Sequence, residues 1–390
     1  MKNNILKFSF WKVVAVIIIV AGIYSTFIRF TQGLGASTNL SDAFPWGLWI
    51  GFDMLCGVGL AAGGFAICAV THIFNIEKFR PLARPAILTA FLGYILAVCG
   101  LMFDLGRPWA IWHAIIMWNT HSVMFEVAWC VMLYSTVLFL EFFPVVLERF
   151  HLPRILKIMK RVAIPIMMLG ILLSTLHQSS LGSLYLIMPE KMHPLWYSPL
   201  LPVFFYLSAI STGFAMVIFE AFLSARAFNH GLKLNLLSTC SFISFIFIII
   251  NFVLKMVYLS ISGKLQYLLV LSPVTYLFYL ELLIGTVVPV FFLSSRKFRE
   301  DKKYLYFSSV FIISGFLLNR LNVSITSMAA MSKASYFPSI NEISVTLMLC
   351  VIGMWAFKII IENFPVFSDE LEIEKSVGIL ESISKPLTLK

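Results

Sequence analysis

The chain has 390 residues, of which 60% are hydrophobic and 12% charged, with a formal net charge of +10 and a mean hydropathy of +0.92. No water-soluble domain of this size tolerates such a composition; it describes an all-α, multi-span membrane protein. The excess of Lys and Arg does not point to nucleic acid, because the basic residues fall in short turns between apolar spans, where they report topology.

Apolar runs of about 20 residues, enough to cross a hydrocarbon layer ~30 Å thick, recur along the sequence and predict about ten transmembrane helices. They lie near 12–31, 46–74, 85–103, 122–147, 162–181, 200–224, 236–257, 273–294, 304–327 and 342–362. The first has a basic start and an apolar middle, as a signal peptide does, but no small-residue cleavage site follows it, so it is read as an anchor. The second carries Gly47, Gly51, Gly57, Gly59, Gly63 and Gly64, and small residues at four-residue spacing permit close helix crossing. One membrane domain over 1–363 and a polar tail over 364–390 are expected.

With both termini assigned to the cytoplasm, the inner loops collect nearly all the basic residues, among them Lys78, Arg80, Arg84, Arg149, Arg154, Lys157, Arg226, Lys233, Arg296 and Lys302. The outer loops keep Arg107, Lys191, Lys264 and Lys333, an asymmetry that matches the positive-inside rule. The outer loops are the longer ones, rich in Trp, Tyr and Pro. On its own, such a loop is an ordinary aromatic anchoring belt.

Charged residues within spans cost about 3 kcal/mol each on insertion scales and normally face a partner or a hydrated cavity. At ~1.5 Å per residue, Asp53, Glu126, Glu281, His177 and Arg320 fall in the outer half of five different helices, capped by Asp104, Arg107 and His121. The expected pairings join these carboxylates to Arg320, Arg107 or a histidine. Asn119, Ser122 and Glu126, at i, i+3 and i+7, are expected to share one helical face. A network that only holds helices together is the plain alternative. Lying beneath the elaborate loops, with Trp109, Trp118, Phe125 and Trp129 nearby, the layer has what a quinone head group needs: donors for two carbonyls, proton carriers, and apolar walls for the tail. Glu141 and Glu220 lie deeper and could continue a proton path inward, although an interface glutamate paired with loop lysines explains Glu141 equally well.

The six cysteines are scattered singly, with no C-x-x-C pair, so neither a disulfide framework nor a cysteine-ligated metal is expected. A b-type haem would call for histidines facing each other within the bilayer. Only His177 and His121 approach from the same side, and both fit the site already described, so no haem or metal is expected.

These residues also carry a resemblance. FPWGLWIGFD (44–53), GVGLAAGGFA, DLGRPW (104–109), HSVMFE (121–126), LEFFPVVLER (140–149), STLHQSSLGSL (174–184) and HPLW (193–196) resemble the NrfD/PsrC family of quinone-reactive membrane subunits, and within it the HybB-type "cytochrome b" subunit of nickel–iron hydrogenases. The resemblance is strong in the first half; beyond about 230 it rests on scattered positions such as Glu281 and Arg320. It implies a core of two four-helix bundles, about 46–181 and 200–327, flanked by helices 12–31 and 342–362. It also implies a menaquinone site near the periplasmic face of a bacterial inner membrane and no bound redox cofactor. The implied partners are a periplasmic ferredoxin-like iron–sulfur subunit and a hydrogenase or other catalytic subunit, beside membrane lipid. Carried over by motif, Asp104, Arg107, His121, Glu126, His177 and Gln178 would form the quinone and proton site, with Asp53, Ser122, Asn119, Glu281 and Arg320 in support. Two readings from other classes stand beside it. A secondary transporter would place its polar site near the midplane, and the repeat of GGFA (63–66) by TGFA (212–215) is weak support; a passive anchor would carry no chemistry.

Overall fold

The computed structural model describes residues 10–74, 76–228, 231–332 and 336–367. Lys333, His230 and most of the polar tail lie outside that set. Ten long helices account for the fold: α1 Phe10–Gln32, α2 Trp49–Ile73, α3 Glu77–Asp104, α4 Val123–Arg149, α5 Pro153–Ser183, α6 Leu201–Phe228, α7 Leu234–Ile261, α8 Pro273–Ser294, α9 Lys302–Met331 and α10 Ile340–Asn363. Among the described residues, nine of these are long and apolar enough to cross a membrane. The other, α5, opens on Arg154, Lys157, Lys160 and Arg161 and closes on Ser174, His177, Gln178 and Ser180.

Helix starts follow the local sequence. Ser272 accepts from the backbone N–H of Thr275 and is followed by Pro273 at the first helical position of α8, while Asp301 caps α9; each supplies an acceptor to otherwise orphaned N–H groups. The start of α10 is a reciprocal capping box between Ser339 and Glu342. The Glu342 carboxylate, fully buried, also accepts from the Asn39 backbone N–H and the Tyr336 hydroxyl. Ser339 donates to the carbonyl of Ser37, and Asn39 to that of Phe337. The connection between α1 and α2 is thereby tied to the head of the last helix.

Helices α2 to α5 pack on one another in a closed ring, as do α6 to α9, and α1 pairs with α10 against α3. Where the rings meet, α2 crosses α6 at glycines: a Cβ on Gly213 would lie 2.7 Å from the backbone of Ala62 and Gly63. The contact puts α2 at the centre, with 83% of its most apolar stretch buried, against 17% for α1 and α7.

Three of these helices contain π-helical turns: Trp49–Met54 and Ala69–Ile73 in α2, Leu283–Val287 in α8 and Asn322–Thr326 in α9. Such turns redirect side chains and often accompany functional positions. Asp53 lies within the first, Glu281 just before the third and Arg320 just before the fourth.

Candidate functional site

Inside the first ring, the Tyr94 hydroxyl of α3 lies 2.8 Å from His177 Nδ1 of α5, and both residues are buried. The Tyr134 ring of α4 meets Tyr94 edge-on at 4.7 Å. Ser174, one turn before His177, brings its hydroxyl near both phenols. The Tyr134 and Ser174 hydroxyls and His177 Nε2 are buried without a hydrogen-bond partner. Buried polar atoms are rarely left unpaired, and here three neighbouring groups each retain one. Tyr94 and Tyr134 escaped sequence reading because a tyrosine in an apolar run looks the same whether it packs or bonds.

His177 leads on toward the C-terminal end of α5. One turn on, Ser180 donates to Glu126 Oε1 at 2.5 Å. Glu126 is in the first turn of α4 and exposed on the surface of the ring. Aromatic side chains surround this seam: Trp118 and Trp129 lie 4.8 Å apart, Phe125 contacts both, and Trp129 donates to the Ala114 carbonyl at 2.8 Å. Gln178 points to the opposite side and donates to the Val58 carbonyl at 3.0 Å. That carbonyl is available because the helix tightens at this point: the Ala62 N–H bonds Gly59 instead.

The other expected residues do not join this group. α4 begins at Val123, so Ser122 is its N-cap, accepting from the Phe125 N–H, and Asn119 precedes the helix; the shared face expected for Asn119, Ser122 and Glu126 does not exist. Arg107 and His121 are exposed. Asp104 lies toward α1, where Arg29 donates to the carbonyls of Phe103 and Leu105, each at 2.6 Å, and closes the end of α3. Asp53 accepts from Thr346 of α10 at 2.8 Å. Among the described residues, none of these carboxylates is hydrogen-bonded to Arg320, Arg107 or a histidine; neutral hydroxyls hold Glu126 and Asp53.

Glu281 has a lysine instead. Its Oε1 accepts from Lys255 Nζ of α7 and from Asn319, both at 2.8 Å; its Oε2 accepts from Trp196 at 2.8 Å and Asn322 at 2.9 Å. Arg320, 1% exposed, donates to Asn319, Ser208 and the Phe205 carbonyl and lies 3.6 Å above the Phe205 ring. Lys255 could have been found: it is the one basic residue in the apolar run of α7, the same signal that singled out Glu126. Trp196 lies 85 residues from Glu281 and carried no such signal.

Glu220 of α6 accepts from Thr89 at 2.5 Å and leaves Oε1 without a partner. Glu141 rests against Gly170, whose missing side chain makes the room: a Cβ there would lie 2.8 Å from Glu141 Oε1. Among the described residues no group of three or more His, Cys, Asp or Glu side chains is arranged to hold a metal ion.

Two ring-shaped helix groups with polar interiors, joined through α2, define a multi-pass membrane protein with buried proton-carrying groups. Residues 36–331 match the family model described as "Polysulphide reductase, NrfD", and the chain belongs to that family. It is 37% identical over 361 residues to a protein of Nitratidesulfovibrio vulgaris, covering 90% of this chain and 92% of the relative. It is 34% identical to the "probable Ni/Fe-hydrogenase 2 b-type cytochrome subunit" of Escherichia coli, covering 87% of each. A shorter match, 35% over 46% of this chain and 44% of the relative, is to the "menaquinone reductase, integral membrane subunit" of N. vulgaris.

Proposed function

We propose that this chain is the quinone-reactive membrane subunit of a respiratory oxidoreductase, exchanging electrons between an iron–sulfur partner at the outer face and menaquinone in the bilayer. The observation that carries this reading is the hydrogen bond from buried Ser180 to exposed Glu126 at the α4/α5 seam, one helical turn from the Tyr94–His177 pair. A quinone diffusing in lipid can reach a carboxylate on the ring surface, and the aromatic wall of Trp118, Phe125 and Trp129 suits a flat head group. Names of the relatives, a menaquinone reductase subunit and a hydrogenase subunit among them, support the same substrate class and a multi-subunit setting.

In this reading Glu126 holds or delivers the proton at the quinone oxygen, Ser180 orients it, and His177 with Tyr94 stores a proton one turn deeper. Glu141 and Glu220 would supply protons from the inner side. Both termini then face the cytoplasm of a bacterial inner membrane, and the catalytic subunits sit on the periplasmic side. We read no haem into this subunit. His177 is the one fully buried histidine among the described residues; its Nδ1 is taken by Tyr94 and its ring is packed 5.3 Å from that phenol.

Substituting Glu126→Gln keeps the shape and removes the proton. In the assembled complex it is expected to lower menaquinone turnover 100-fold or more, with subunit composition intact by gel filtration. Unchanged turnover in an intact complex would sink the role of Glu126.

A further inference from the structure

Of the ten long helices α5 is the longest, at 31 residues. At ~1.5 Å per residue that is ~46 Å, well beyond a hydrocarbon layer ~30 Å thick. The surplus falls at its start. Pro153 to Arg161 include Arg154, Lys157, Lys160 and Arg161 and no acid, whereas no polar residue occurs from Val162 to Leu173. The basic turns are thereby held at the level where a spanning helix meets lipid head groups.

Three stripes run along this start, each with the spacing i, i+3, i+7 that places residues on one face. Leu156, Met159 and Ala163 are buried or half-buried. Arg154, Lys157 and Arg161 form the second stripe, Ile155, Ile158 and Val162 the third, and all six are exposed. The third continues as exposed Leu169 and Leu172. A basic face therefore lies beside an apolar strip that runs on to membrane depth.

These cations differ from their neighbours in having nothing to hold. The side chains of Arg154, Lys157 and Arg161 make no ion pair or hydrogen bond among the described residues. Nearby, Arg84 takes both oxygens of Glu148, and Arg149 donates to the Asn363 carbonyl. At the α8–α9 connection the cations are interleaved with acids: Arg296 pairs with Glu300, and Asp301 caps α9. At the start of α5, like charges stand unopposed beside exposed hydrocarbon, which is the complement of a phosphate above its acyl chains.

We infer that the start of α5 is a binding site for an anionic phospholipid, its phosphate held across Arg154, Lys157 and Arg161 and an acyl chain laid along Ile155, Ile158 and Val162. This inference does not depend on the quinone reading.

The test uses the full chain in phosphatidylcholine nanodiscs with increasing phosphatidylglycerol, and native mass spectrometry counts the anionic lipid retained on each chain. Saturable retention at low mole fraction is expected. The triple variant Arg154→Gln, Lys157→Gln, Arg161→Gln is expected to raise the half-saturating fraction about tenfold or more. A control that removes the same charge elsewhere, Lys297→Gln, Lys302→Gln, Lys303→Gln, is expected to change it less than about twofold. Ile158→Asn keeps every cation and is expected to weaken retention several-fold, which decides the matter should the triple variant fail to fold. Equal losses in the two triple variants would reveal general attraction to a charged bilayer and overturn the inference, as would unchanged retention in Ile158→Asn. Retention that appears only once residues 368–390, with Asp369, Glu370, Glu372 and Glu374, are removed would give this face to the chain's own acidic segment and overturn it too.

Discussion

Inside the α2–α5 ring, Tyr134, Ser174 and His177 leave polar atoms unpaired, while inside the α6–α9 ring the Glu281 carboxylate accepts four hydrogen bonds. The same helical scaffold thus holds one polar cluster with open valences and, elsewhere, a carboxylate whose own hydrogen-bonding capacity is filled. Groups that must gain and lose protons cannot be fully committed to partners; groups that hold a charge in place must be. The contrast is between a cluster open to proton exchange around His177 and a carboxylate held by fixed donors at Glu281.

Removing one member of the saturated cluster gives the largest expected effect. Glu281→Leu leaves Lys255 and Arg320 without a carboxylate, and breaking a buried pair in this way costs about 3–5 kcal/mol; thermal unfolding in detergent should show a large drop. A variant as stable as the parent would break the comparison. Next is the seam between the rings: Gly213→Val pushes a side chain into the Ala62–Gly63 backbone, and forced overpacking costs about 1–3 kcal/mol. A loss confined to one ring, measured by limited proteolysis, would show that the rings unfold independently.

Tyr94→Phe should cost only about 1 kcal/mol, the net worth of one buried hydrogen bond, yet lower quinone turnover well beyond that loss. Equal small effects on stability and turnover would remove the first ring's claim to proton handling. The smallest effect concerns pH. Partial burial of His193, in the connection between α5 and α6, lowers its affinity for a proton below the ordinary 6.5, so the folded state favours the neutral ring. Its contribution is present above pH 6.5 and is lost as pH falls below that value. The melting temperature should decline slightly there, and the decline should be absent in His193→Gln.

Span positions were legible in the sequence because apolar length is set by the bilayer, and the family could be read from its motifs. Glu126, His177 and Glu281 were legible as charges at depth. Their partners were not: Tyr94, Ser180 and Trp196 belong to other helices or loops, and no periodicity within one helix reports what another presents. The failed face of Asn119, Ser122 and Glu126 has a local cause. A serine before an apolar run reads equally well as a helical residue or as the cap that starts the helix, and Ser122 is the cap.

The clasp between the α1–α2 connection and α10 bears on how the protein is made. Asn39 and Ser37 find their partners in Ser339, Phe337 and Glu342, about 300 residues further along the chain. A nascent chain emerging at ~5–20 residues per second therefore spends 15 seconds or more with the α1–α2 connection unfastened. Until the last helix is inserted, Trp49 also lacks its acceptor at Glu342 and Asp53 its donor at Thr346. Fastening the clasp is thus a late step in biogenesis, and a chain truncated before α10 would be marked for quality control by an open lid over its most buried helix.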